Sequence, residues 1–214
     1  GDLHFSTSVN KPMDIFGDNW DNHQERIINN WKEIINNDDT VLVLGDTSWG
    51  MNMNEAKADL DIINNLPGKK VFIKGNHDFW WSSLNKLRTT YEDIAFLQNS
   101  YYKYKNIGIC GSRGWLCPNE VKFDKDDEKI YKREKLRLKM SLDAAIKDGC
   151  EEIIVITHYP PTNDKLEPSE FTKLFEEYNV KKVVYGHLHG KESFEMGLKG
   201  QRNGVEYILA SSDY

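Results

Sequence analysis

A chain of 214 residues, 39% hydrophobic and 29% charged, has the composition of an ordinary soluble globular protein and the length for one domain with a sizeable core. Its 28 basic and 34 acidic side chains leave a net charge of -6, so no global basic field exists to hold a polyanion, and no stable nucleic-acid partner is expected. No apolar stretch approaches a membrane span, no signal segment opens the chain, and three scattered cysteines cannot make a disulfide framework; reduced, buried thiols and a cytoplasmic location are expected.

In chain order, Gly1-Asp2-Leu3-His4 stands first with no strand before it to support it, so a further strand is expected ahead of this point. Ile27, Ile28, Trp31, Ile34 and Ile35 share one face of a predicted helix. Val41 to Leu44 is a short β-branched run, the mark of a buried strand, and it ends at Gly45-Asp46. A second amphipathic helix carries Ala56, Leu60 and Ile63, and a second strand, Val71 to Ile73, ends at Gly75-Asn76-His77-Asp78. Shorter strands are predicted around Phe96, over Tyr101 to Lys105 and over Ile107 to Cys110. The charged stretch Lys122 to Lys129 is a solvated loop and helix start, leading into a long helix over roughly Asp126 to Lys147 with Tyr131, Leu138, Leu142 and Ala145 on one stripe. Ile153 to Ile156 ends at His158, a helix carries Phe171, Leu174, Phe175 and Tyr178, and Val183 to Tyr185 ends at Gly186-His187-Leu188-His189. Short strands around Phe194 and over Val205 to Leu209 close the chain, and with no repeat or linker a single domain over residues 1–214 is expected.

Five of the six histidines, His4, His77, His158, His187 and His189, fall at these strand ends beside Asp2, Asp46, Asn76 and Asp78; only His23 does not. Open α/β sheets bind ligands at the carboxyl ends of their strands, and imidazole with carboxylate and amide oxygen suits borderline cations such as Mn, Fe or Zn. No cysteine enters the clusters, which argues against a closed thiolate zinc site and for an open, catalytic one. If Asp2 and Asp46 are the only anionic ligands, two dications keep an excess of about two positive charges and attract a phosphate. Glycines at positions 1, 45, 75 and 186 directly precede proposed ligands and let the backbone turn sharply beside them.

Taken together, Asp2-Leu3-His4, Gly45-Asp46, Gly75-Asn76-His77-Asp78, His158 and Gly186-His187-Leu188-His189 resemble the calcineurin-like metallophosphoesterase superfamily in order and spacing over essentially the whole chain. The resemblance implies a four-layer α/β/β/α sandwich with two mixed central β-sheets and the metals at one edge. It assigns Asp2, His4 and His189 to one metal, Asn76, His158 and His187 to the other, and Asp46 to both. It implies two divalent or trivalent ions, Mn2+ first with Fe, Zn, Co or Ni also suited, and in-line attack of a metal-bridging hydroxide on a phosphomonoester or phosphodiester. His77 then faces the leaving group as general acid or charge stabiliser, with Asp78 orienting its ring or capping a helix from Phe79 onward. Protein Ser/Thr phosphatases of the superfamily carry GDxVDRG and GNHE, whereas this chain reads Gly45-Asp46-Thr47-Ser48-Trp49-Gly50 and ends its second block in Asp78, so the phosphate-binding Arg of that branch is missing. That places it with the bacterial-type phosphohydrolases, acting on a small phosphate ester such as a nucleotide. A replacement cation is Arg113, expected to stand exposed after a strand and to fork onto phosphate oxygens, with a structural ion pair as the alternative. Trp49, Trp80 and Trp81 lie next to metal motifs and either line a pocket or pack in the core. The rival from another class is a binding scaffold that keeps the fold and has lost its chemistry.

Overall fold

The computed structural model describes residues 1–214, folded into two β-sheets and six helices. The first sheet has three strands in the order β1 (Thr40–Val43), β2 (Lys69–Phe72) and β3 (Ile94–Phe96), all parallel. Helix α1 (His23–Ile34) precedes them, and α2 (Met53–Asn64) and α3 (Leu84–Thr90) make the crossovers that parallel pairing requires. Asn52 stops the chain from entering α2 early, its side chain accepting the Asn54 and Glu55 amides as an N-cap. Behind that cap Ala56, Leu60 and Ile63 recur at helical spacing, and all three are fully buried against Val43, Phe72 and Phe96. Truncating Leu60 here would cost about 2–5 kcal/mol.

The second sheet runs β4 (Tyr101–Tyr104), β5 (Ile107–Ser112), β6 (Glu152–Thr157), β7 (Lys182–Tyr185), β9 (Val205–Leu209) and β8 (Gly200–Arg202). Its centre is parallel and its two edges are antiparallel hairpins. The β8–β9 hairpin turns on Asn203-Gly204, both at positive φ, the pair that a tight two-residue turn demands. Helices α4 (Lys125–Lys147) and α5 (Glu170–Glu177) cover its outer face, sharing a cluster of 17 buried residues with Cys110, Val155, Val183 and Tyr207. Asp124 and Ser169 start these helices as capping boxes. A smaller apolar cluster, Leu44, Val71, Ile73 and Leu97 with Ile109 and Ile156, joins the two sheets face to face.

Four expectations are corrected. The first sheet is purely parallel, not mixed, because each of its strands returns through a helix. Ile34 is 61% exposed rather than on the buried face of α1, and Ile35 lies past the helix end in extended backbone. Phe194 sits in a one-turn helix, α6 (Lys191–Glu195), and not in a strand; its ring packs on Tyr214 at 5.0 Å, a contact that no local alternation announces. No helix begins at Phe79, so Asp78 caps none. All three cysteines are buried and unpaired, and burial pushes the Cys110 and Cys117 thiols up to about 12, which leaves them inert. No helix is long and apolar enough to cross a membrane.

Candidate metal centre

The opening segment lies alongside the loop after β1: the amides of Asp2, His4 and Phe5 donate to the carbonyls of Gly45, Asp46 and Thr47 at 2.9, 2.9 and 3.0 Å. This threads Asp2 and His4 between the loop that carries Asp46 and the one that carries His187, whose amide donates to both oxygens of Asp2 at 3.1 and 3.0 Å. Four of the ten non-glycine residues at positive φ are Asp2, His4, Asp46 and His187. Such backbone costs free energy and persists only where surrounding contacts impose it, so its concentration at proposed ligands marks a site built for side-chain aim. Gly75 and Gly186 serve the same end, because a Cβ at either would collide with the carboxylate of Asp46 or of Asp2.

Two clusters result. The ligand atoms of Asp2, His4 and His189 lie within 4.8 Å of one another, and so do those of Asp46, His158 and His187. Asp46 stands between them, its Oδ2 3.5 Å from His158 Nε2 and 3.9 Å from His4 Nε2. Asn76 Oδ1 is 2.6 Å from His158 Nε2, and His187 Nδ1 is 3.1 Å from the same nitrogen. The Leu44 carbonyl accepts from His158 Nδ1 at 2.9 Å, which fixes the proton there and leaves Nε2 as the ring's acceptor, facing Asn76 Oδ1 and His187 Nδ1. His4 Nδ1 is buried with no hydrogen-bond partner.

Electrostatics agree with this donor set. Burial pushes His4 down to about 2, with neighbouring histidines adding to the effect, His187 down to about 4 and His158 well below its usual value, so the rings present neutral lone pairs. Burial and the nearby Asp78 push Asp46 up to about 9, and burial raises Asp2 as well. Buried carboxylates with no cation hold their protons, and a metal beside them reverses that preference. Burial also lowers His77. For His189 burial pulls downward, but the hydrogen bond that the ring donates to Asp213 and the charge of Asp2 outweigh it and raise the ring.

Asp213 is a site residue that the sequence did not single out. Its Oδ1 lies 2.8 Å from His189 Nδ1 and its Oδ2 accepts the Gly190 amide at 3.1 Å, so it orients the ring and leaves Nε2 facing Asp2 Oδ1 at 3.7 Å. It lies 24 residues beyond its partner with no motif around it. Asp78, in contrast, does not orient the His77 ring. Its fully buried carboxylate accepts the amides of Asp46, Thr47 and Gly75 at 2.9, 2.8 and 2.7 Å and the Trp80 indole at 2.9 Å. It ties the two ligand loops together. Asp78→Ala strands three backbone donors and an indole, and it is expected to cost about 3 kcal/mol or more in urea unfolding; unchanged stability with lost activity would restore the ring-orienting role.

Arg113 is also placed differently from its expected exposed position. Its side chain is 15% exposed, pairs with the buried Glu134 of α4 at 3.7 Å and lies over Trp115 at 4.4 Å, while its carbonyl accepts the His158 and Tyr159 amides. The ion pair takes the guanidinium because α4 brings Glu134 beside it, and Arg133 and Arg137 converge on the same oxygen. Trp80 and Trp81 are core residues. Trp49 is not: it stacks on His4 at 4.8 Å and 21° and, with Met13, Phe16, Trp20 and Phe194, lines a cavity of about 580 Å³ that opens onto Asp46, His77, His187 and His189.

The family model described as calcineurin-like phosphoesterase matches residues 1–191. Among curated proteins, a probable cyclic nucleotide phosphodiesterase of Vesicomyosocius okutanii subsp. Calyptogena okutanii is 26% identical over 198 residues, covering 86% of this chain and 76% of that one. The Gene 66 protein of Mycobacterium phage D29 is 25% identical over 196 residues, covering 89% and 76%. Among solved structures, the TT1561 protein of Thermus thermophilus superposes with a TM-score of 0.51 at 12% identity over 72% of this chain and 71% of that one, a likeness of fold.

Proposed function

The chain belongs to the calcineurin-like phosphoesterase family and is a phosphoric ester hydrolase, and from that premise we propose that it works with two cations held by the two clusters at its strand ends. Asp2, His4 and His189 would hold one, Asn76, His158 and His187 the other, and Asp46 both. The observation that carries this reading is the convergence of two ligand groups, Asp2–His4–His189 and Asp46–His158–His187, each with its ligand atoms within 4.8 Å of one another, and Asp46 Oδ2 3.5 Å from His158 and 3.9 Å from His4. When bound, the cations would lower a water's pKa from about 15.7 toward 7 and neutralise charge developing on the phosphoryl oxygens. The three apolar clusters, two beneath helices and one between the sheets, support the four-layer α/β/β/α architecture.

The chain's own residues do the rest. Trp49 and Trp20 hold an apolar wall against the reacting phosphate, which excludes water from one side and offers a ring a surface to stack on. His77 lies on the same wall, its ring 4.7 Å from Trp49 and its amide anchored to Asp46 Oδ1 at 2.8 Å, so it meets the departing oxygen rather than a cation. A neutral ring in this place supplies an N–H to the oxygen that gains charge. The aromatic lining supports a substrate that carries a base or other ring, and the Vesicomyosocius relative is named for cyclic nucleotides. Unpaired buried thiols support the cytoplasmic location.

Metal-free protein reconstituted with Mn2+, Fe2+, Zn2+, Co2+ or Ni2+ and assayed on phosphate mono- and diesters tests this. Two ions per chain by elemental analysis and turnover that returns with them, Mn2+ foremost, are expected. A stoichiometry that never exceeds one ion would overturn the dinuclear reading.

A further inference from the structure

Two cavities meet at the ring of His187. The first is the aromatic one of about 580 Å³ that also holds His77. The second, about 370 Å³, shares His187 as a lining residue and is also lined by Tyr159, which packs on the His187 ring with centroids 4.1 Å apart. Both fall within the roughly 300–1,000 Å³ of small-molecule sites. A phosphomonoester has one organic substituent and needs one such seat.

The second cavity has the character of a binding surface. Val121 and Met196 line it and are 86% and 46% exposed, apolar area left uncovered beside a reaction centre. Thr162 also lines it and is 5% exposed, yet its hydroxyl has no hydrogen-bond partner. Lys122 and Asn119 add polar groups at the edge.

We propose that the substrate is an acyclic phosphodiester whose two organic arms lie one in each of the cavities that His187 lines. The inference rests on the hydrolase reading above and deepens it. Because His77 lines the first cavity, the departing arm occupies that one and the retained arm the second. Water adds to phosphorus, the P–O bond to the first arm breaks with its electron pair staying on that arm's oxygen, and that oxygen takes a proton. The products are an alcohol and a phosphomonoester that still carries the second arm. A cyclic phosphodiester has both ester oxygens on one compact body and would leave the second cavity empty.

The test compares three probes on the metal-loaded protein: thymidine 5′-(p-nitrophenyl phosphate), p-nitrophenyl phosphate and a 3′,5′-cyclic mononucleotide. The acyclic diester is expected to exceed both others in kcat/KM by about tenfold or more, the effect of a modest extra contact area. Met196→Trp and Val121→Trp, surface changes that fill the second cavity, are expected to lower the diester-to-monoester ratio of kcat/KM by a similar factor. Equal or better turnover of the monoester or the cyclic ester, or a ratio unmoved by both substitutions, overturns the two-arm arrangement and leaves the hydrolase reading standing. No turnover of any ester with two ions bound removes both.

Discussion

Asp46→Asn is expected to weaken both cations together by at least about 100-fold and to bring phosphodiester turnover down toward that of metal-free protein. The size follows from position, since one oxygen of Asp46 lies 3.5 Å from His158 in one cluster and 3.9 Å from His4 in the other, and loss of a group outside the ligand set already costs roughly 10–100-fold in affinity. The fold itself should be spared. In the metal-free protein burial and Asp78 hold Asp46 protonated, its pKa raised to about 9, and Asn has the shape of that neutral acid and keeps the acceptor for the His77 amide. Asp213→Ala is the contrast. It frees the His189 ring and the adjacent Gly190 amide and touches no ligand of the other cluster, so isothermal titration of metal-free protein with Mn2+ should lose the Asp2–His4–His189 ion and keep the other. Loss of a single ion in Asp46→Asn would show that the carboxylate bridges nothing.

Legibility of this molecule from its sequence followed the density of local signal. Parallel central strands are buried on both faces, so Val71 to Ile73, Ile153 to Ile156 and Val183 to Tyr185 read as unbroken apolar runs, each followed within a few residues by the glycine or histidine of a motif. Their ends could therefore be read together as one candidate site. Helix α3 has only Leu87 buried, which makes no periodicity, and Ser83 as its cap was the one available sign. Strand β8 spans three residues with none fully buried. Trp20 reaches the cavity from a short 3-10 turn, and Asp213 reaches His189 across the gap between two loops; neither relation has a spacing that chain order could reveal.

The misreading of Asp78 has a different cause. The family resemblance implied that Asp78 orients the His77 ring, but the backbone turns between them and sends the carboxylate back toward the amides of Asp46 and Thr47. For Arg113 the flanking small residues suggested exposure, while a helix brought alongside from residues 125–147 supplied the buried Glu134.

His77→Asn is expected to lose on the order of 10²–10⁴-fold in kcat on a diester with an alkyl leaving group, and distinctly less on a nitrophenyl diester, with both ions retained. Asn76, not His77, lies against His158, and the His77 ring packs with Trp49 at 4.7 Å and His4 at 6.0 Å on the wall of the first cavity. An alkoxide gains much charge as it departs and depends on an N–H or a proton from the ring, whereas a nitrophenolate spreads that charge into its own ring and leaves unaided. Asp78 does not touch the imidazole, so Asp78→Asn should not copy the leaving-group dependence of His77→Asn, although it weakens the loops that hold the site. Equal losses on the two esters would show that His77 acts on the phosphoryl charge common to both, and a missing ion in His77→Asn would show that the ring belongs to the ligand set.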